Sequence, residues 1–454
     1  MYQKIEINNF GPVNHAEIEL RPLVVLIGQQ AGGKSTIAKL IYFFQLIPSE
    51  FFSRFYSSER EWMDMTQDLI VPIREKFYDF FGSTFHLPNF KIIFYYNETH
   101  SLTLSLTPNK RIDAHFSDGF FSTKDRNELR GFKKSILQYK SELIDVDNPA
   151  KKVMLDEQQA NLLRQMANKI YEMFTTRFDD SLYILAGRNT TVSYSETFED
   201  LLKQSIRKKI EEQGGIAFKA KEQTIDESLM LDFMQRVLRI RQTFIKSGNF
   251  EGMITMSNST NRGKLILANR LVQKVIRGQY ANSEYGERIV LQNGNYVYLK
   301  NASSGQQEAI RILQDAFLSI YQGGRVMRIV EEPEAHLFPE AQMYTIQLLV
   351  LMLNSLPGSH LILTTHSPYT LTIINNLIYA AKVGQNNPEQ VNQIMPKELW
   401  LPNTNVAAYM LHDGASIPAI DGILHEIKAE LIDEVSNEIN IQYESLMNFD
   451  TDGK

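Results

Sequence analysis

The 454-residue chain contains no cysteine, which excludes disulfide scaffolds, thiolate metal sites and cysteine nucleophiles together. It lacks any apolar run approaching the roughly 20 residues of a membrane-spanning helix. Its first residues, Met-Tyr-Gln-Lys-Ile-Glu, have none of the basic-then-apolar character of a signal sequence. A soluble, cytoplasmic protein with no membrane partner is expected. A basic excess is missing too: the net charge of −6 argues against DNA as a tight, constitutive partner. No repeats or low-complexity segments occur. What is present is a globular composition, 43% hydrophobic and 11% aromatic, at a length that suits one large domain or two to three ordinary ones.

The most informative stretch is Gly28-Gln-Gln-Ala-Gly-Gly-Lys-Ser35, which matches G-x-x-x-x-G-K-[ST]. It follows the apolar run Leu23-Val-Val-Leu-Ile27, so a buried strand should empty into a glycine turn and then into a helix beginning near Lys34. Gly28, Gly32 and Gly33 allow the backbone to curl and turn its N–H groups inward, where the positive end of the helix adds to their attraction for β- and γ-phosphates. Lys34 would put a point charge on the γ-phosphate, and Ser35 would give its hydroxyl to Mg²⁺, an ion that prefers hard oxygen ligands. Gly28, Gln29, Gln30, Ala31, Gly32, Gly33, Lys34, Ser35 and Thr36 form the expected nucleotide-binding set.

A second strand, Val326-Met-Arg-Ile-Val330, delivers the adjacent carboxylates Glu331 and Glu332 at its end, where an open α/β sheet binds its ligand. Glu331 would hold Mg²⁺ through a water, and Glu332 would orient or deprotonate the attacking water. The next strand, from His360, ends in His366. Between the phosphate loop and the acidic strand lies Ala302-Ser-Ser-Gly-Gln-Gln-Glu308, in which Gly305 opens a helix, Gln306 to Tyr321, whose N-terminal dipole can face a phosphate.

This order of phosphate loop, Ser-Gly-Gln signature, acidic strand end and strand-end histidine resembles the ABC-type ATPase heads of the SMC and RecF kind. Glu331-Glu-Pro-Glu-Ala-His-Leu-Phe-Pro339 is similar to the OLD (overcoming lysogenisation defect) ATPases, which also carry Glu where most relatives have Asp. The resemblance implies an α/β fold, a mixed sheet with a phosphate-loop core plus an antiparallel β subdomain. It also implies ATP and Mg²⁺ as cofactors, and a homodimer or higher homo-oligomer with composite sites. In that arrangement Lys34, Ser35, Glu331, Glu332 and His366 of one subunit surround ATP-Mg²⁺. Ser303, Ser304, Gly305 and Gln306 of the opposite subunit close on it. Ser304 stands where many relatives have glycine.

Residues 2–9 and 15–20 alternate as strands around Phe10-Gly-Pro12, and 91–96 and 101–106 form a further pair. From 124 to 250 helical periodicity takes over, interrupted by Asp147-Asn-Pro149 and Gly214-Gly215, with Leu182-Tyr-Ile-Leu185 as a buried strand. No heptads are sustained, so this region should be a compact helical lobe and not a coiled-coil arm. The expected division is therefore 1–123, an N-terminal half-head; 124–250, the helical insertion; and 251–454, a C-terminal half-head. Arg188 could reach a phosphate or sit in a surface ion pair. The basic runs Arg126 to Lys140 and Arg236 to Lys246 are where DNA contact would be sought. Asn293-Gly294 marks a hairpin. Val406 to Ile420 should be strands turning at Asp413-Gly414, and Asp421 to about Leu446 an amphipathic helix. That tail is too short for the nuclease domain of full OLD enzymes. The chain is thus similar to ATPase subunits of two-component phage-defence systems of the PARIS or Septu type, which would make a separate nuclease or toxin its effector. The alternative is a RecF-like ATPase acting directly on DNA.

Overall fold

The computed structural model describes residues 3–59, 66–144, 149–175, 178–193, 225–257, 261–422, 425–428 and 440–447. Gly214-Gly215, Asp433 and most of Asp147-Asn-Pro149 lie outside them. The fold is α/β, organised on one eleven-stranded mixed sheet with a small three-stranded sheet beside it. The strands of the large sheet are β1 (Gln3–Phe10), β2 (Val13–Leu20), β3 (Leu23–Gly28), β4 (Lys91–Tyr95), β5 (Ser101–Leu106), β6 (Ile112–Phe116), β7 (Asp180–Ile184), β11 (Val326–Glu331), β12 (His360–Thr365), β13 (Val406–His412) and β14 (Ala415–Pro418). Strands β8 (Gln279–Ser283), β9 (Gly286–Val290) and β10 (Tyr296–Tyr298) make the small antiparallel sheet.

The large sheet has two halves. Strands β6-β5-β4-β1-β2 are antiparallel neighbours, whereas β13-β3-β12-β11-β7 all run parallel. The antiparallel strands continue the phosphate-loop sheet through β14, which bonds β13 on one side and β2 on the other. Strand β7, from within the helical span 124–250, is the edge strand beside β11.

The apolar run that announced β3 is explained by burial on both faces. Leu23, Val25 and Ile27 enter a core formed with the helices Ser304–Gln322, Pro339–Ser355 and Pro368–Val383. Val24 and Leu26 enter a second core with the helix Lys34–Ser57 and the antiparallel strands. The period-2 pleat sends alternate residues to opposite faces, so an unbroken apolar run fits only a strand covered on both sides.

Two expectations for the C-terminal part diverge. Strands β13 and β14 meet at Asp413-Gly414 as expected, with Asp413 at φ 49° and Gly414 at φ 75°. Residues 421–422 and 425–428 are not helical. They fold back so that Ile420 bridges Ile427, and Asn375 fixes the backbone of Ile427 through both its amide N–H and its carbonyl. The helical periodicity there was overridden by this tertiary pairing; residues 440–447 are helical.

Candidate active site

Parallel pairing puts three chemical groups at one sheet edge. Strands β3, β12 and β11 are adjacent, with Ile27 opposite Thr365 and Thr364 opposite Glu331. The phosphate loop, His366 and Glu332 therefore leave from the same carboxyl edge, where α/β sheets bind ligands.

The loop's glycines have distinct reasons to be glycine. Gly28 has φ 147°, and a Cβ there would come within 2.4 Å of the Leu411 carbonyl oxygen on β13. Gly33 has φ 94° and would collide with Val13 at 2.7 Å. The loop is held shut by its own lysine: Lys34 Nζ donates to the carbonyl oxygens of Gly28 (2.9 Å) and Gln29 (2.8 Å). Burial lowers the Lys34 pKa, and the carboxylates of Glu332, Glu334 and Glu331, in that order, push it back up. Lysine and acidic cluster thus share one electrostatic environment. Ser35 is exposed at the first turn of the helix.

The turn after β11 aims the acids. Glu332 has φ 42°, left-handed for a non-glycine residue, which costs about 1–3 kcal/mol and persists only where its surroundings enforce it. They do. Its N–H donates to the Thr364 carbonyl oxygen (3.0 Å), and its own carbonyl accepts from Ala335 N–H (3.0 Å), closing a four-residue turn with Pro333 second. Glu332 Oε1 then lies 3.4 Å from His366 Nε2, both side chains partly exposed. Glu331 is buried; its carboxylate accepts from Tyr183 Oη (2.6 Å) and Ala186 N–H (3.1 Å). Burial first, then the Glu331 charge, raise the Tyr183 pKa well above normal, so the phenol stays a donor.

One group missed in the sequence and one given the wrong place there complete this edge. Glu334 accepts from Thr365 Oγ1 (2.7 Å) and His366 N–H (2.8 Å), fixing the histidine's backbone. Its third place in Glu-Glu-Pro-Glu was the available signal. Arg188 is the second. It neither faces a phosphate nor lies at the surface: it is fully buried beneath the turn and donates to carbonyl oxygens of Leu185, Glu308, Glu331 and Glu332.

The signature segment is built as a helix start, two residues earlier than the expected Gln306, at Ser304. Ser303 caps it: its hydroxyl accepts from Gln306 N–H, while Gln306 Oε1 accepts from Ser303 N–H (3.1 Å), a capping box. Gly305 is buried because a Cβ would lie 2.5 Å from the His336 carbonyl oxygen, so glycine is required for contact with the acidic turn's continuation. Gln306 Nε2 donates to the Ile276 carbonyl oxygen (2.7 Å). Ser303 and Ser304 are exposed. Within one chain, then, these residues pack on 276 and 336–337, while Lys34, Glu331, Glu332 and His366 share the sheet edge.

Three members of the basic runs are tied into the fold, whereas Arg126, Arg130, Lys134, Arg239 and Lys246 are exposed. Lys133 is buried and caps the end of the helix Lys34–Ser57 through the carbonyl oxygens of Phe55, Tyr56 and Ser58. Arg236 pairs with Asp315 (2.7 Å) and Arg241 with Glu287 (3.3 Å). Among the described residues no three His, Asp or Glu side chains are arranged to hold a metal ion, and Asp413 pairs with His412 at the surface. The Ser35 hydroxyl and the carboxylates at the acidic strand end are hard oxygen donors of the kind Mg²⁺ takes.

A family model described as AAA ATPase domain matches residues 1–371. The chain belongs to this family. A search of curated proteins finds no match. Among solved structures, the AAA ATPase domain is similar to an SMC head bound to the C-winged helix domain of ScpA, with 10% identity over 92% of this chain and 97% of that one and a TM-score of 0.37. It is also similar to the SMC head domain from Thermotoga maritima (9% identity, 92% and 98% covered, TM-score 0.35). A third is the Smc head domain with an extended coiled coil bound to the C-terminal domain of ScpA derived from Pyrococcus furiosus (12%, 97% and 99%, 0.35). These superpositions are loose, and the family assignment stands on the domain match. No helix among the described residues is long and apolar enough to cross a membrane.

Proposed function

We propose that this AAA ATPase domain binds ATP with Mg²⁺ at the carboxyl edge of β3, β12 and β11 and hydrolyses it to ADP and phosphate. The observation that carries this reading is the Lys34 ammonium, held at the mouth of a glycine loop within the field of Glu331, Glu332 and Glu334. Bound ATP gives Lys34 a better partner than two backbone carbonyls, so its Nζ moves to the γ-phosphate and the loop's N–H groups take up the β-phosphate. Gly28 to Thr36 form the binding loop. Ser35 would hold Mg²⁺ directly and Glu331 through a water, and the ion would neutralise charge developing on the phosphate oxygens. Glu332 takes the proton of the attacking water, and His366, 3.4 Å away, fixes the carboxylate's direction and contacts the γ-phosphate.

Ser303 to Gln306 contribute from a second copy across a composite site: exposed serines at a helix start are suited to a phosphate. ATP thus closes a homodimer and hydrolysis reopens it. We assign the change of shape to control of a separate effector, a nuclease or toxin, on the strength of the Glu331 to Pro339 resemblance to OLD-type ATPases. Glu332→Gln is expected to lower turnover by about 100-fold or more, in line with loss of a general base, and to trap an ATP-bound dimer visible by light scattering. Turnover at the wild-type rate in that variant removes Glu332 from the reaction. Co-purification of a neighbouring-gene product tests the effector assignment, and a chain that stays alone and cleaves DNA unaided defeats it.

A further inference from the structure

We propose that Arg188 is a positioning residue for hydrolysis: its buried guanidinium ties the signature helix, Ser304–Gln322, to the backbone of Glu332 and so sets the direction of that carboxylate. The inference rests on the role given to Glu332 above. Arg188 follows β7 and is 0% exposed. Its Nε donates to the Glu308 carbonyl oxygen (3.1 Å), Nη1 to those of Leu185 (3.0 Å) and Glu331 (2.8 Å), and Nη2 to that of Glu332 (2.9 Å). One planar fork therefore joins three separate elements: the β7 end, the first turns of the signature helix and the acidic turn.

A charge taken wholly out of water is costly, and well-packed apolar side chains usually stabilise a core as well or better. Its countercharge is imperfectly used: Glu308 Oε2 is 3.4 Å from Arg188 Nε and accepts no hydrogen bond. What an arginine does here that an apolar residue cannot is bind four carbonyl oxygens in fixed directions. The carbonyl that matters is that of Glu332, because this residue is held in the left-handed region and its peptide orientation decides where the carboxylate points. With its N–H on Thr364 and its carbonyl on Arg188, Glu332 cannot relax, and displacement of Glu308 on the signature helix is passed to it directly.

Arg188→Lys in the full chain separates this role from a structural one. Lysine keeps charge and length but not the fork, so kcat for ATP is expected to fall about 10-fold, as misplacement of a reacting group does, with KM within about twofold because the phosphate loop is untouched. Combined with Glu332→Gln, the change should add nothing to the residual rate, since Arg188 acts through Glu332. An unchanged kcat, a KM that rises while kcat holds, or a loss that persists in the Glu332→Gln background overturns the proposal. If the lysine variant does not fold, Glu308→Gln serves: it keeps Arg188 but removes the countercharge, with an expected drop in kcat of about threefold that likewise vanishes beside Glu332→Gln; wild-type kcat, or a loss that persists there, overturns it. A wild type without turnover, or a Glu332→Gln variant at the wild-type rate, defeats the parent reading instead.

Discussion

The two faces of the long sheet both bury apolar side chains and differ in what else they bury. On the face covered by the helix Lys34–Ser57, rings pack on rings: Phe43 against Phe44, Phe77 and Phe80, Phe44 stacked on Phe94 at 4.9 Å, and Phe120 against Phe174. On the face covered by the signature helix, buried arginines pair with acids from distant elements. Arg328 bonds Asp315 and Asp180, both at 2.6 Å; Arg236 shares Asp315; Arg311 holds Glu287. Dispersion among rings is tolerant of small shifts, whereas a buried ion pair demands one geometry. The charge-tied face carries the signature helix, whereas the ring-packed face carries the phosphate-loop helix and Tyr183, which holds Glu331.

This contrast can be broken by substitution. The largest effect is expected from Arg328→Met, which leaves buried Asp315 with Arg236 in place of two guanidinium partners and takes the 2.6 Å partner from half-exposed Asp180; it should cost about 3 kcal/mol of stability in urea unfolding. A loss below 1 kcal/mol would show that the ion pairs are incidental. On the other face Phe44→Leu should cost about 1–2 kcal/mol, a partial cavity that its neighbours can fill, and ATP affinity should not change.

The two faces also differ in their acid limbs. Burial alone would raise Glu287, but the Arg311 guanidinium outweighs it and holds the carboxyl down to about 2 from the ordinary 4.5. The stability this gives is present above pH 4.5 and is lost as pH falls toward 2. His360, edge-on to Phe178, is lowered by burial from 6.5 to about 4. The unfolded chain therefore takes up that proton first, and stability falls as pH drops from 6.5 to 4. Thermal unfolding against pH should lose the upper step in His360→Leu and the lower one in Glu287→Gln; two unaltered profiles would contradict the assignment. The smallest stability effect is expected from Lys34→Met. Because burial already disfavours the Lys34 charge, the melting temperature should hold or rise while ATP binding is lost; a large drop in melting temperature would make Lys34 a structural residue.

Legibility followed the same division. Strands β1 to β5 and the phosphate loop were readable because their determinants are local: alternation, a buried apolar run and glycines at fixed offsets. The capping box at Ser303 and Gln306 was not read, although its determinants lie within three residues. Arg188 was unreadable because its partners are carbonyl oxygens about 120 and 143 positions away, and carbonyls leave no trace in a sequence. Arg236, read as part of a basic run, finds Asp315 only through the fold. Residues 421–422 and 425–428 fall in a stretch of helical periodicity, yet two hydrogen bonds between Asn375 and Ile427 outweighed it.

The most direct test is where the triphosphate sits. A crystal or cryo-electron microscopy structure with Mg²⁺ and a non-hydrolysable ATP analogue should show Lys34 Nζ moved from the Gly28 and Gln29 carbonyl oxygens onto the γ-phosphate, the metal against Ser35 Oγ, and Glu332 facing the in-line water. An analogue bound elsewhere, or one bound while Lys34 stays on those two carbonyls, would contradict the account.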